Sequence, residues 1–413
     1  MECEHKLGGA CKIIGELAGS DPVDVDDKIC GLCAKSDKPG PKQKNHVTAS
    51  MAIRHCRKVM GKGYLQERMP IIRPFIDSEG CTHRKKAARA DKRTADKQVA
   101  SKKLDDRVKR LLLRSFISPG DIMTMTAAVE SLHGAYPGRW ETDVETSCPE
   151  IWEHNPNITH MSPEERQEAL YVDMAYPAIQ QSDQVLQPFL GGYAEFLGGI
   201  LGVHLPLLVN KPQIYLTEEE IAWKSQVAEI CGMTPKYWVV NAGIKSCFTA
   251  KQWPVEYYQE VIDATRHKWE WVQIGQTKDG HTHPDLKNVI DLRDKTSIRE
   301  LFRLVYHSQG GLGPITFLQH VCAALDRPYG CIAGGREPVS WIQYPLQQTF
   351  HTLGQLDCCK LKACWKSRTV PIGDGKDSES SLCLNPSVSW KQPVPRCMTL
   401  IKPETVIQTL ERY

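Results

Sequence analysis

Sixteen cysteines in a chain of 413 residues ask for an explanation, and their placement offers one. Cys3, Cys11, Cys30, Cys33 and Cys56 lie in the first 56 residues, and Cys358, Cys359, Cys364, Cys383 and Cys397 in the last 56. The other six are scattered singly, as small core hydrophobes are. Clustered thiolates bind zinc or iron tetrahedrally and can pin a segment that has little core. The spacing Cys11-x18-Cys30-x2-Cys33-x22-Cys56 contains the CGLC pair of a metal knuckle, with Cys3 and His5 as spare ligands. The C-terminal pattern is CC-x4-C-x18-C-x13-C. Spacing does not choose between zinc and iron, and an iron–sulfur cluster is open at the N-terminal set. A redox role for CGLC lacks the βαβ context it would need.

Other residues have chemistry of a different kind. Gly120 and Asp121 stand in SPGD, between an apolar run and a helical one. A carboxylate there can accept the proton of an attacking hydroxyl. It could equally cap the helix that follows. GGREP offers Gly334 and Gly335 for close approach to a ligand, and Arg336 and Glu337 for sugar hydroxyls or diphosphate. Residues 82–114 hold 13 Lys and Arg against four Asp, a net +9; the chain totals +3, so the remainder carries −6. Arg84, Lys85, Lys86, Lys92 and Arg93 lead this stretch, which suits a polyanion such as DNA. A solvated helix face would look the same.

The elements that must position these residues follow an alternating pattern. LLLRSFI (111–117), RWETDVET (139–146), YVDMAY (171–176) and QIYLT (213–217) read as strands. Helices are expected over IMTMTAAVESLHGAY, around FLGGYAEFLGGIL (189–201) and over EEEIAWKSQVAEIC. A second series starts at KYWVVNAG (236–243). It continues through helix VEYYQEVIDATRHK, strand WEWVQIG, strand NVIDLRD and helix SIRELFRLVYHS. GGLGPITFLQHVCAALDRP then reads as a loop running into a helix, and YGCIAGG (329–335) as the closing strand. Two doubly wound α/β units in tandem favour two lobes facing a cleft. The expected divisions are a Cys-rich module over 1–60, a basic linker over 61–106, lobes over 107–233 and 234–356, and a Cys-rich finger with a terminal helix over 357–413. No run of ~18 apolar residues occurs, so no membrane span is expected. The opening MECEHKLGGACK has no signal-like segment, so a cytoplasmic location is expected, in the host cell if the chain is phage-encoded.

Several of these stretches, in order, resemble the heptosyltransferases. The Gly-Asp turn, helix and Tyr-Pro-Gly of residues 120–138 and EIWEHNPNIT (150–159) match the opening of that family's first lobe. NAGIKSCFTAKQWP matches a loop of its second lobe through Lys251, Trp253 and Pro254. GPITFLQHVCAALDRP (313–328) matches its diphosphate-binding turn through Thr316 and His320. The resemblance covers roughly residues 107–357 and implies a GT-B transferase that uses a nucleotide sugar. It implies Asp121 as the base on the acceptor hydroxyl. It implies Lys251, Thr316 and His320 at the donor diphosphate, with hydroxyls from Ser246 and Thr249. Where the family has Asp and Gly around that Thr, this chain has Ile315 and Phe317, which puts the phosphate contacts in question.

The C-terminal cysteines resemble the four-cysteine iron finger of the autotransporter heptosyltransferases. That analogy selects Cys359, Cys364, Cys383 and Cys397, with Cys358 as the substitute for Cys359. GGREP, the doubled cysteine and ACWKSR resemble a phage branch thought to glycosylate hydroxymethylated pyrimidines, which implies DNA as acceptor. A protein or lipopolysaccharide heptosyltransferase, and a nucleic-acid-binding protein on an inactive transferase scaffold, are the alternatives.

Overall fold

The computed structural model describes residues 6–7, 10–11, 23–24, 108–174, 187–388 and 391–413. The chain divides into two compact units, Met1–Asp106 and Arg107–Tyr413. In the first, the two-residue strands Lys6–Leu7, Ala10–Cys11 and Val23–Asp24 pair antiparallel in that order. The expected helix over 47–60, the basic segment up to residue 107, and Cys3, Cys30, Cys33 and Cys56 lie outside the described residues, as do Arg84, Lys85, Lys86, Lys92 and Arg93. For Cys11 only the strand backbone is described.

The second unit is α/β and holds two parallel sheets. The first has strands β1 (Lys109–Ser115), β2 (Trp140–Thr146) and β3 (Leu170–Asp173) in the order β2-β1-β3. Register is set by Leu112 opposite Asp143 and Tyr171. Leu111 and Leu113 are fully buried, as a central strand covered by helices requires. Helix α1 (Pro119–Ala135) follows β1. Ser118 and Pro119 start it, with proline's fixed φ and missing N–H suiting the first turn. It ends before Pro137 and Gly138, whose φ of +68° reverses the chain. Eleven of its residues are buried, so it is a core helix rather than a surface one. Helix α2 (Phe189–Leu201) packs against it and stops at left-handed Gly202.

The second sheet has six strands: β4 (Tyr237–Val240), β5 (Glu270–Gln273), β6 (Ile290–Asp291), β7 (Gly310–Pro314), β8 (Tyr329–Gly334) and β9 (Gln347–His351). Their order is β6-β5-β4-β7-β8-β9, all parallel. Helices α3 (Val255–Thr265), α4 (Ile298–Tyr306) and α5 (Phe317–Ala324) connect them. Trp238, Trp253, Trp271 and Tyr258 fill one core, closed by Val406 and Leu410 of α6 (Pro403–Leu410). A second core joins the two sheets, and within it Phe189 of α2 stacks on Trp341 at 4.7 Å.

Four expectations need correction. GGLGP is not a loop but the central strand β7. Its glycines hide the strand pattern because neighbours press on the backbone. A Cβ on Gly310 would meet Trp238 at 2.7 Å, one on Gly311 would meet the Cys322 sulfur at 2.9 Å, and one on Gly313 the Asn241 carbonyl at 2.6 Å. YGCIAGG does not close the sheet, because QQTFH adds the edge strand β9; only Phe350 of it is buried, so it lacks an apolar run. QIYLT joins neither sheet. Its polar groups serve side chains instead: Gln213 N–H donates to Thr126 Oγ1 at 2.8 Å, and the Tyr215 carbonyl accepts from Arg299 at 3.0 Å. EEEIAWKSQVAEIC is two short helices, Glu218–Ala222 and Gln226–Cys231. Ser225 breaks the run by accepting the Ala228 N–H at 3.1 Å and starting a new helix.

Candidate functional site

The starts of α1 and α5 face each other across the junction of the two sheets, and Gly120 makes this approach possible. A Cβ there would lie 3.0 Å from His320 Cδ2, so Gly120 clears space for the His320 ring. Asp121, the next residue, is half-buried. Ser118, not Asp121, is the N-cap of α1, and its hydroxyl donates to the Asp121 carboxylate. Asp121 is thus a first-turn residue of α1 and not its N-cap.

Lys251 closes the short helical turn Ser246–Lys251 that follows β4. Its ammonium donates to the Ile315 carbonyl at 3.0 Å and pairs with Glu337 Oε1 at 3.1 Å. Burial, and then the Arg336 guanidinium, push its pKa down to about 7, while the Asp121 carboxylate pulls the other way. Asp121 of the first sheet and Lys251 of the second are thus electrostatic neighbours. The Ile315 departure keeps a polar function through its main chain: the buried side chain contributes nothing ionic, but the carbonyl holds Lys251.

Thr316 is the N-cap of α5, and its own side chain makes no capping hydrogen bond. Its hydroxyl accepts from Asn241 Nδ2 at 3.3 Å. A turn of this kind presents main-chain N–H groups and the positive end of the helix dipole. His320 lies one turn on, buried, with Nδ1 at 2.8 Å from the Tyr344 hydroxyl. Burial, and then Lys251, lower its pKa to about 3, so it is a neutral hydrogen-bonding ring and not a proton donor of imidazolium type.

Other expected donor residues are placed differently. The Thr249 hydroxyl accepts the Thr369 N–H at 2.8 Å, and its carbonyl accepts from the Thr369 hydroxyl at 3.0 Å. Ser246 is exposed, its N–H donating to the Gly280 carbonyl at 2.7 Å. Trp253 is a core residue that donates to the Ile401 carbonyl at 3.0 Å. Gly334 and Gly335 do allow close approach, but of sulfur-bearing side chains. A Cβ on Gly334 would meet Met398 Sδ at 2.5 Å, and one on Gly335 would meet Cys359 Sγ at 2.8 Å. Arg336 and Glu337 are both buried and paired with each other. Arg336 also donates to the Lys366 carbonyl at 2.7 Å and lies 5.6 Å from the rings of Phe248 and Trp365.

The five C-terminal cysteines line one small cavity beside Arg336. Among the described residues no three His, Cys, Asp or Glu side chains are arranged to hold one metal ion. The Cys359 thiol, fully buried under Gly335, donates to the Thr352 carbonyl at 3.5 Å. Cys383 Sγ accepts the Asn385 N–H at 3.4 Å. Burial raises the thiol pKa of Cys358, Cys364 and Cys383, and that of Cys397 to about 12.

Sequence reasoning missed Tyr344, Asn241 and the Phe248–Trp365 pair. Asn241 had a signal, as the first polar residue after β4. Tyr344 had none, since its place beside His320 depends on the turn after Val339–Ile342.

Residues 176–363 match the model of glycosyltransferase family 9 (heptosyltransferase). This stretch is similar to a family 9 glycosyltransferase domain. The match includes Lys251, Thr316, His320 and Glu337 but begins after Asp121, so the likeness of the first lobe rests on structure. The glycosyl transferase family 9 structure from Veillonella parvula DSM 2008 is 15% identical, with 75% of this chain and 98% of that one covered at TM-score 0.53. ADP-heptose lps heptosyltransferase II of E. coli is also 15% identical, with 74% and 98% covered at TM-score 0.50. No curated protein matches. The fold is GT-B-like, and the enzyme class is glycosyltransferase with a nucleotide sugar as donor. Among the described residues no helix is long and apolar enough to cross a membrane.

Proposed function

We propose that this chain transfers a sugar from a nucleotide-sugar donor to a hydroxyl, with Asp121 as general base and the donor diphosphate held by Lys251, Thr316, His320 and the start of α5. The observation that carries this reading is the meeting of Asp121 and Lys251 at one junction, from two different sheets. A base and a phosphate-binding cation must sit within one substrate's length, and the electrostatic coupling of Asp121 to Lys251, with Gly120 set against His320, supports that reading. As the glycosidic bond breaks, charge grows on the diphosphate. The Lys251 ammonium and the α5 amides stabilise that charge in a setting with little water. Asp121, half-exposed, takes the proton of the incoming hydroxyl.

For the acceptor we propose 5-hydroxymethylcytosine in DNA. The support is the +9 segment over residues 82–114, which would hold the phosphates while the 5-substituent projects into the major groove. A second reading, heptose transfer to a carbohydrate or protein hydroxyl, is favoured by the heptosyltransferase description of the matching family. Mass spectrometry of hydroxymethylcytosine DNA, incubated with the protein and a panel of nucleotide sugars, separates them. A mass gain on the base supports DNA. Donor turnover only with saccharide or protein acceptors supports the second reading.

The cysteine finger we propose as a structural zinc or iron site. Cys358, Cys364, Cys383 and Cys397 would be its ligands, because the Cys359 thiol is committed to Thr352. A bound ion would fix the loop that carries Arg336. Elemental analysis of the purified protein tests this together with the N-terminal set.

A further inference from the structure

The family reading leaves Glu337 as one more group that could touch the donor. The structure gives it a different position. Its carboxylate is buried and engaged on both sides, by Arg336 and by Lys251 Nζ at 3.1 Å. Arg336 cannot easily turn away to serve a ligand. It is held by the Lys366 carbonyl at 2.7 Å and by the rings of Phe248 and Trp365. Glu337 therefore has a fixed guanidinium on one flank and a flexible ammonium on the other.

We propose that Glu337 is a positioning residue: it is the counter-ion that keeps Lys251 protonated and aimed at the α5 turn until the donor diphosphate arrives. This rests on the assignment of Lys251 to the diphosphate. A buried ammonium beside a guanidinium would shed its proton at neutral pH without a carboxylate next to it. The titratable and charged groups facing Lys251 are few. Asp121 comes from α1, His320 from α5, Cys331 from β8, and Arg336 and Glu337 from the loop after β8. His320 is neutral and the Cys331 thiol is pushed up to about 12 by burial, so neither carries charge at neutral pH. Glu337 pairs with Lys251 at 3.1 Å, while the Asp121 carboxylate also favours the charged lysine but is needed for the acceptor. The Ile315 carbonyl, at 3.0 Å, then sets the direction of the ammonium.

The test is calorimetric binding of ADP to the full chain between pH 5.5 and 8.5, for wild type, Glu337→Gln, Glu337→Asp and Lys251→Ala. The titration of ADP itself is common to all four, so only differences are read. Glu337→Gln should bind within about twofold of wild type at pH 5.5, where Lys251 is charged in both. At pH 8 it should bind ~10-fold more weakly, its loss of affinity having moved to lower pH by about one unit. Glu337→Asp should fall between, and it serves as the reporter if the Gln variant melts early. A loss of equal size at every pH would mean that Glu337 touches the ligand or merely supports the fold, and overturns the proposal. So does an unchanged profile. If Lys251→Ala binds ADP as wild type does at every pH, the diphosphate assignment itself fails, and the proposal with it; a weakened Lys251→Ala beside an unshifted Glu337→Gln sinks the proposal alone.

Discussion

The two sheets deliver their functional groups in contrasting ways. The first presents a half-exposed carboxylate on the opening turn of a helix, with a serine hydroxyl for company. The second presents a buried network in which Lys251, Glu337 and Arg336 are charged against one another and His320 is held neutral by burial and by Lys251. The difference matches two tasks. A base must be reached by an acceptor and then give its proton away, so it stays near water. A diphosphate site gains strength from a low dielectric, so its charges are withdrawn and must be balanced in advance.

The largest effect should come from the exposed side. Asp121→Asn keeps the shape and removes the base, so turnover should fall by ~10²–10⁴ while ADP affinity at pH 5.5, where Lys251 stays charged, is unchanged. Near-normal turnover would leave the first sheet without a chemical role and break the contrast. On the buried side, Lys251→Ala should weaken ADP binding by roughly 1.5–3 kcal/mol, the loss of a charge-assisted bond. The sign with pH follows from the direction of its shift. Only protonated Lys251 attracts the diphosphate, so the affinity gap between wild type and Lys251→Ala should be greatest below pH 7 and shrink as pH rises through about 7. A flat profile between pH 6 and 8 would say that the second-sheet network is not tuned at all. Gly313→Ala probes the packing that brings β7 to the site, since its Cβ would meet the Asn241 carbonyl at 2.6 Å. It should cost about 1–3 kcal/mol in denaturant unfolding. The smallest effect belongs to Ser246→Ala. Ser246 is exposed, so stability should move by less than about 0.5 kcal/mol, and ADP affinity measured alongside decides whether its hydroxyl reaches the donor.

The alternation of strand and helix was legible where local pattern and tertiary environment agree. The buried run at β1, the helix Phe189–Leu201 and the apolar YWVV of β4 could be read residue by residue, because strands covered on both faces and helices in a core are apolar throughout. The places of Asp121, Lys251 and Thr316 near strand-to-helix turns, and of His320 inside the helix that follows, were legible as well, because short motifs mark those turns. Pattern failed at β7, where close packing against Trp238, Cys322 and Asn241 calls for glycine and removes the side chains that announce a strand. It failed at β9, whose exposed edge needs only Phe350 inside. At Gly334 and Gly335 a need for close approach was visible, but not that Met398 and Cys359 would be what approaches.

The amino-acid sequence by itself determined which groups are available: one carboxylate in a Gly-Asp turn, one lysine before Trp-Pro, a threonine and a histidine on one helix, and two sets of thiols. Only the tertiary structure decided which of them are neighbours and in what state. Glu337 becomes a counter-ion because the loop after β8 brings it against Lys251, and His320 becomes neutral because it is buried beside Lys251. Charge state depends on burial and on partners far away in sequence, and neither is carried by local residue order.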